Sequence, residues 1–235
     1  MTVRPPTKSA GVDGASDQGE VVGDGPRVKF DAVEAGPFPP RLEAAANALA
    51  RAVSDMEAAG CCPVLDDGLA AGNGAMRTDG ELLVTRSGRL PGECSASDVV
   101  HLEHFDSNAW SATYRPRNAS HRPTSDSPLY WLALMEAPQL FEWTATPTVA
   151  LHGHVLETER AARALQVPIS LEQTEFSTPP DREALRALMG AAPFPEHTVW
   201  IRRGHGFFIL ERGVDAALRR MADVAARARL VGLLP

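Results

Sequence analysis

Thr148-Val149-Ala150-Leu151-His152-Gly153-His154 decides the fold: a short apolar run that closes on two histidines one residue apart. In a strand, side chains at i and i+2 point to one face. Both imidazoles can therefore address a single ion, and Gly153 between them leaves room for an ion or substrate to approach the backbone. About fifty residues later, His205 stands between two glycines in Arg202-Arg203-Gly204-His205-Gly206, just ahead of Phe207-Phe208-Ile209-Leu210. Three neutral imidazoles with an open fourth position make a catalytic divalent-metal site. A hydrogen-bonded surface pair is the ordinary alternative for a His-x-His taken alone.

Working outward, Thr198 to Ile201 and Phe207 to Leu210 read as the arms of a hairpin around His205. Upstream, Pro39-Pro40 open an amphipathic helix marked by Leu42, Ala45, Leu49, Val53 and Met56 and ended by Gly60. Gly72-Asn73-Gly74 is a turn signal. Glu81 to Thr85 and Val99 to Phe105 read as strands, with Ala112 to Tyr114 able to pair with them. Ser127-Pro128 opens a helix that Pro138 should stop. Further helices are expected over Glu157 to Gln166, from Pro179 to Gly190 and from Val214 onward, with a short strand at Val167 to Ile169. Residues 1–37, rich in Gly, Pro, Ser and Asp, read as a disordered or loosely attached tail, with a short strand at Val28-Lys29-Phe30. Antiparallel-looking strand clusters separated by helices predict an α/β chain: a three-layer α/β/α sandwich around a mixed, largely antiparallel sheet.

The 235 residues suit one domain, and 44% apolar residues suffice for a substantial core. A net charge of −7 without a basic run argues against nucleic acid as partner. No stretch approaches the roughly 20 apolar residues of a membrane span, and no signal-type segment opens the chain, so a cytoplasmic protein is expected. Three cysteines, Cys61, Cys62 and Cys94, form no disulfide framework and read as small buried hydrophobes. Trp110, Trp131, Trp143 and Trp200 read as packing anchors.

In order and spacing, Gly72-Asn73, Thr85-Arg86-Ser87-Gly88, Asp98-Val99-Val100, Arg122-Pro123-Thr124-Ser125-Asp126, His152-Gly153-His154 and Gly204-His205-Gly206 resemble the class II aldolase/adducin family, the zinc-dependent sugar-phosphate aldolases and ribulose-phosphate epimerases. The resemblance covers about residues 40 to 230 and makes 38–235 one class II aldolase-like domain. It implies His152, His154 and His205 as ligands of a divalent metal, zinc in the first instance. Asp126 follows as the catalytic acid/base or an additional ligand, in a place where the aldolases usually carry Glu and the epimerases Asp. Asn73, Thr85, Ser87, Gly88, Thr124 and Ser125 follow as the substrate-binding set at the phosphate end, where N–H groups and short hydroxyls cradle an oxyanion. Arg86 and Arg89 add charge there if they turn inward. Gly74-Ala75 replaces a hydroxyl-bearing pair, and no tyrosine follows Tyr130 to serve as the C-terminal proton donor. Tyr114 and Tyr130 are the remaining candidates.

The expected activity is a metal-dependent aldolase-type lyase, making or breaking a C–C bond of a ketose-like substrate, phosphorylated or not, through a metal-stabilised enediolate. Epimerisation or dehydration of a sugar phosphate uses the same intermediate. A non-catalytic, adducin-like interaction module is the alternative of another class, and a cupin-type oxygenase is opposed by the many helices. A homotetramer with sites at subunit interfaces is implied, with Glu172 or Glu175 able to approach a neighbour's site. His101 and His104 are expected to flank a sheet edge and His197 to lie in a loop, while His121, five residues before Asp126, is placed where it could line the pocket mouth.

Overall fold

Alternation of side chains along each strand sorts the apolar residues into two cores on opposite faces of one sheet. The computed structural model describes residues 28–92 and 94–235. Among them are eight strands: β1 (Asp31–Glu34), β2 (Gly72–Thr78), β3 (Glu81–Thr85), β4 (Val99–Asp106), β5 (Ser111–Arg115), β6 (Val149–Gly153), β7 (Val199–Arg202) and β8 (Gly206–Glu211). They form a single sheet in the order β1-β5-β4-β3-β2-β6-β8-β7. Every pairing is antiparallel except β1 with β5.

The helices among the described residues are α1 (Glu43–Ala58), α2 (Ser127–Trp131), α3 (Ala137–Leu140), α4 (Glu159–Leu165), α5 (Pro179–Ala191) and α6 (Val214–Leu230). One core joins α1, α4 and α6 to Leu83, Val149, Leu151, Ile201 and Ile209. The other joins α2, α5 and the segment Leu132 to Leu134 after α2 to Val84, Ala150, Trp200, Phe208 and Leu210. Adjacent strand residues such as Ala150 and Leu151 serve opposite cores, as the period of two requires. The three-layer sandwich is therefore what the chain builds.

Three local expectations differ from the structure. Gly72-Asn73-Gly74 is no turn but the start of β2. Its glycines are there because α1 lies against them: a Cβ on Gly74 would sit 2.9 Å from Val53 Cγ2 and 3.2 Å from Leu49 Cδ1. Pro138 does not stop the helix begun at Ser127. A π-helical turn, Leu132–Glu136, resets the register, and Pro138 falls in the first turn of α3, where its missing N–H costs nothing. The short strand expected at Val167 to Ile169 is reduced to one bridge between Ile169 and Ile201.

Residues 28–37, grouped with the tail on composition, enter the sheet through β1 and bury Val28 and Phe30. The tail's first 27 residues lie outside the described residues. Among the described residues, no helix is long and apolar enough to cross a membrane.

Candidate metal centre and adjoining cleft

Central position and register carry the site. β6 is buried along its whole length and lies between β2 and β8. Antiparallel pairing sets Asn73 opposite His152, and His152 opposite Phe208. Asn73 and His152 therefore project together onto the α2/α5 face. His154 follows the strand's last residue. His205 sits in the tight β7–β8 connection, where its N–H donates to the Arg202 carbonyl at 3.0 Å. Gly206 has φ +147°, and a Cβ there would lie 2.0 Å from the Gly153 carbonyl oxygen, so only glycine lets the hairpin close on β6.

The three imidazoles form a near-equilateral cluster. Ring centroids are 4.7 Å apart for His152–His154, 4.7 Å for His152–His205 and 4.6 Å for His154–His205. Asp126 closes the group, its Oδ2 3.8 Å from His152 Nε2 and its Oδ1 3.9 Å from His205 Nε2. One donor atom from each of the four residues falls within 4.8 Å of every other, an arrangement that can hold a metal ion.

The donor set fits such an ion on two counts. His152 Nδ1 lies 2.6 Å from the Phe207 carbonyl oxygen, so Nδ1 carries the proton and Nε2 the lone pair. That Nε2 is buried and has no hydrogen-bond partner, a costly state for a polar atom that a cation would relieve. Burial also pushes His152 down to about 3, with Asp126 opposing only in part. It lowers His154 and His205 as well, and Arg202 adds to the effect on His205. All three rings are neutral near pH 7, the protonation state that binds metals.

Asp126 is placed by its backbone. Its carbonyl accepts the N–H groups of Leu129 and Tyr130 at the start of α2, while its side chain caps nothing and turns to the histidines. Burial favours the neutral acid. Against it stand the imidazoles, when protonated, and the Arg202 guanidinium; the balance holds the carboxyl far below its usual range. Asn73 Nδ2 donates to Oδ2 at 2.8 Å and Arg202 Nη1 to Oδ1 at 3.1 Å. Tyr130 in turn donates its hydroxyl to Asn73 Oδ1.

A cleft of about 460 Å³ adjoins the cluster, reached by His154 and His205 and lined by Asn73, Ser87, Gly88, Thr124 and Ser125. Of the proposed substrate-binding set, Thr85 is not on this wall: its buried Oγ1 accepts the Gly74 N–H at 3.2 Å, tying β3 to β2. Arg86 and Arg89 do border the cleft, yet their charges are met by Asp98 and Glu57. Glu175 lies on this chain's own cleft, paired with Lys29, and the neighbouring Phe176 ring stands edge-on to His205 at 5.8 Å. Neither tyrosine candidate lines the cleft. Tyr130 is buried beneath Asn73, and the Tyr114 hydroxyl accepts from Arg122 at 2.7 Å. His101 faces Glu81 at 3.7 Å and His121 the Ser97 carbonyl at 3.0 Å, both away from the cluster.

Sequence reasoning gave no role to Arg202 or Asp181. An arginine ending an apolar strand reads as a rim residue, and an aspartate after Pro-Pro as a helix-start residue. Only the fold reveals that they meet.

No protein-family model and no curated protein matches the sequence. Solved structures do. An L-fuculose-1-phosphate aldolase from Thermus thermophilus superposes with a TM-score of 0.53 at 19% identity, over 82% of this chain and 93% of that one. A sugar-phosphate aldolase from Thermotoga maritima gives 0.59 at 12% identity, over 82% and 95%. The N-terminal class II aldolase domain of a Thermoplasma acidophilum protein gives 0.50 at 15% identity, over 75% and 90%. The chain has the class II aldolase fold.

Proposed function

We propose that this chain is a metal-dependent, aldolase-type lyase that cleaves or forms a C–C bond of a ketose-like, sugar-phosphate-class substrate. The observation that carries the reading is the convergence of three neutral imidazoles, that of His152 buried and those of His154 and His205 half-buried, and one buried carboxylate at the end of a cleft, with His152 Nε2 unpartnered. His152, His154 and His205 would hold the ion, zinc in our reading, which supplies Lewis acidity toward a carbonyl and its neighbouring hydroxyl.

The chain's own residues do the rest. Arg202 and Asn73 each take one lone pair of the Asp126 carboxylate, and the remaining lone pairs are the acceptor sites for a substrate proton. Ser87, Gly88, Thr124 and Ser125 border the cleft away from the cluster, where hydroxyls and N–H groups suit a phosphate or a polyol. Phe176 narrows the entrance beside His205 and limits water there. A fourfold-symmetric homotetramer goes with this reading, and light scattering of the purified protein measures it.

The experiment is to incubate the zinc-loaded protein with a panel of ketose 1-phosphates, pentulose phosphates and their unphosphorylated counterparts, and to assay aldehyde release. Isomeric or dehydrated products without aldehyde would assign epimerase or dehydratase chemistry. A protein that takes up no divalent ion and turns over nothing would favour an interaction module.

A further inference from the structure

One guanidinium lies between two buried aspartates. Arg202 is 3% exposed, Asp126 1% and Asp181 2%. Nη1 of Arg202 donates to Asp126 Oδ1 at 3.1 Å, and Nη2 donates to Asp181 Oδ2. One carboxylate would neutralise the arginine, so the second adds a buried charge that stability alone does not ask for. Buried ion pairs are weak contributors to stability compared with apolar residues of the same volume.

Asp181 is itself immobilised. It stands in the first turn of α5, accepts the Ser177 N–H at 3.1 Å and the Thr174 hydroxyl at 3.0 Å, and so has little freedom to follow the arginine. It is the fixed end of the chain of contacts. Asn73, locked by Tyr130, holds the other oxygen of Asp126. Clamped from both sides, the carboxylate is aimed at the edges of His152 and His205, 3.8 and 3.9 Å from their Nε2 atoms. Arg202, like Asp126 and His152, lies behind the cleft lining, but both of its Nη atoms are taken by buried carboxylates and neither is turned toward a substrate.

We infer that Arg202, braced by Asp181, is a positioning residue of the metal centre: it fixes the orientation of the Asp126 carboxylate toward the three histidines and acts chiefly through that carboxylate. The inference rests on the metal-centre reading above. It makes a directional claim. Deleting a cation near a dication site should tighten ion binding if charge were all that mattered. Deleting a residue that orients a carboxylate at the site should weaken binding, as removal of outer partners commonly does by about 10–100-fold.

The probe is Co²⁺, titrated into chelator-treated full-length protein and followed by visible absorption, which reports the ligand field. Arg202→Met, Asp126→Asn, their double variant and Asp181→Asn are compared with the parent. The expected result is Co²⁺ binding weakened about 10–100-fold in Arg202→Met, with its spectrum shifted in the same sense as that of Asp126→Asn. The double variant should be little worse than the more affected single one, because Arg202 works chiefly through Asp126. Asp181→Asn should shift binding and spectrum in the same direction by less.

Tighter binding in Arg202→Met, or an unchanged spectrum with only a lowered Tm, would overturn the inference. Should Arg202→Met fail to fold, Asp181→Asn, which keeps the arginine, decides: parent-like affinity and spectrum overturn it. A parent protein that takes up no Co²⁺ at all defeats the metal-centre reading first, a separate and recognisable result.

Discussion

His152 gives its Nδ1 proton to the backbone carbonyl of Phe207 at 2.6 Å. A carbonyl can only accept, so this one contact fixes the tautomer and leaves Nε2 as a lone pair facing His154, His205 and Asp126. The strand pairing of β6 with β8 thus determines which nitrogen is offered to an ion.

Removing one of the outer imidazoles should empty the site while sparing the core. His205→Ala is expected to reduce divalent-metal content from about one ion per chain to background, with far-UV circular dichroism unchanged. Elemental analysis after dialysis checks it. Retention of one tightly held ion would show that His205 is not a ligand.

With metal supplied in excess so that the site stays filled, Asp126→Asn should slow turnover by about 10²–10⁴-fold, the range for loss of a positioned proton carrier. The amide would also present an N–H₂ group toward Arg202 or Asn73, both of which donate to Asp126. Steady-state kinetics on whichever substrate the aldehyde assay identifies provides the measurement. Unimpaired kcat would remove Asp126 from proton transfer.

Gly72→Ala tests why the opening of β2 mimics a turn. A Cβ there would stand 2.1 Å from Cys62 Sγ and 2.9 Å from Cys62 Cβ. Overpacking of this kind costs about 1–3 kcal/mol, read as a lower urea midpoint. Cys62→Ala in the same chain should recover part of the loss, since it removes the nearer atom and the two sites share one contact.

That glycine pair shows where sequence reading stops. The histidines are legible because their signals are local: i, i+2 spacing on one strand, and glycines bounding His205. The period-two runs and the α1 stripe are legible for the same reason. Gly72 and Gly74 follow turn statistics in isolation, yet their cause is α1 packing across the sheet through Leu49, Val53 and Met56, a contact no local window contains. Arg202 and Asp181 are 21 residues apart and belong to a strand and a helix, so nothing in either segment announces their meeting. Thr85 carries the right hydroxyl in the right motif, but strand register turns it to a backbone N–H.

The cysteines should be silent in the native state. Burial pushes Cys61 up to about 11 and Cys94 up to about 12, and Cys62 is raised by burial and by its neighbour Cys61. Since the thiolate is the reactive form, an aromatic disulfide reagent at pH 8 is expected to label none of the three before unfolding and all three after it. Rapid native labelling would contradict their packing.

Acid should weaken the link between β3 and the turn leading into β4. Burial tends to raise Asp98, but the Arg86 side chain, donating at 2.7 Å, and the Ser95 N–H and hydroxyl outweigh it and hold the carboxyl below its ordinary 3.8. A depressed carboxylate stabilises the fold above its unfolded value and loses that contribution as pH falls through the folded one. The stability gap between the parent and Arg86→Met should therefore be of order 1 kcal/mol at pH 7, allowing for solvent screening, and should shrink below about pH 4. Denaturation midpoints across that range measure it; a gap independent of pH would exclude the pair as its source.

β1 runs parallel to β5 at the rim of the sheet, matching Asp31 to Ser111 through Glu34 to Tyr114. That arrangement makes four residues near the front of the chain a hem for everything behind them. A polypeptide shortened past residue 34 would leave the β5 backbone as a bare margin, open to stitching with the same margin on another copy. Trimming this end for crystallisation would thus invite clumping, and would also strip Lys29 from Glu175 and Phe176 at the cleft.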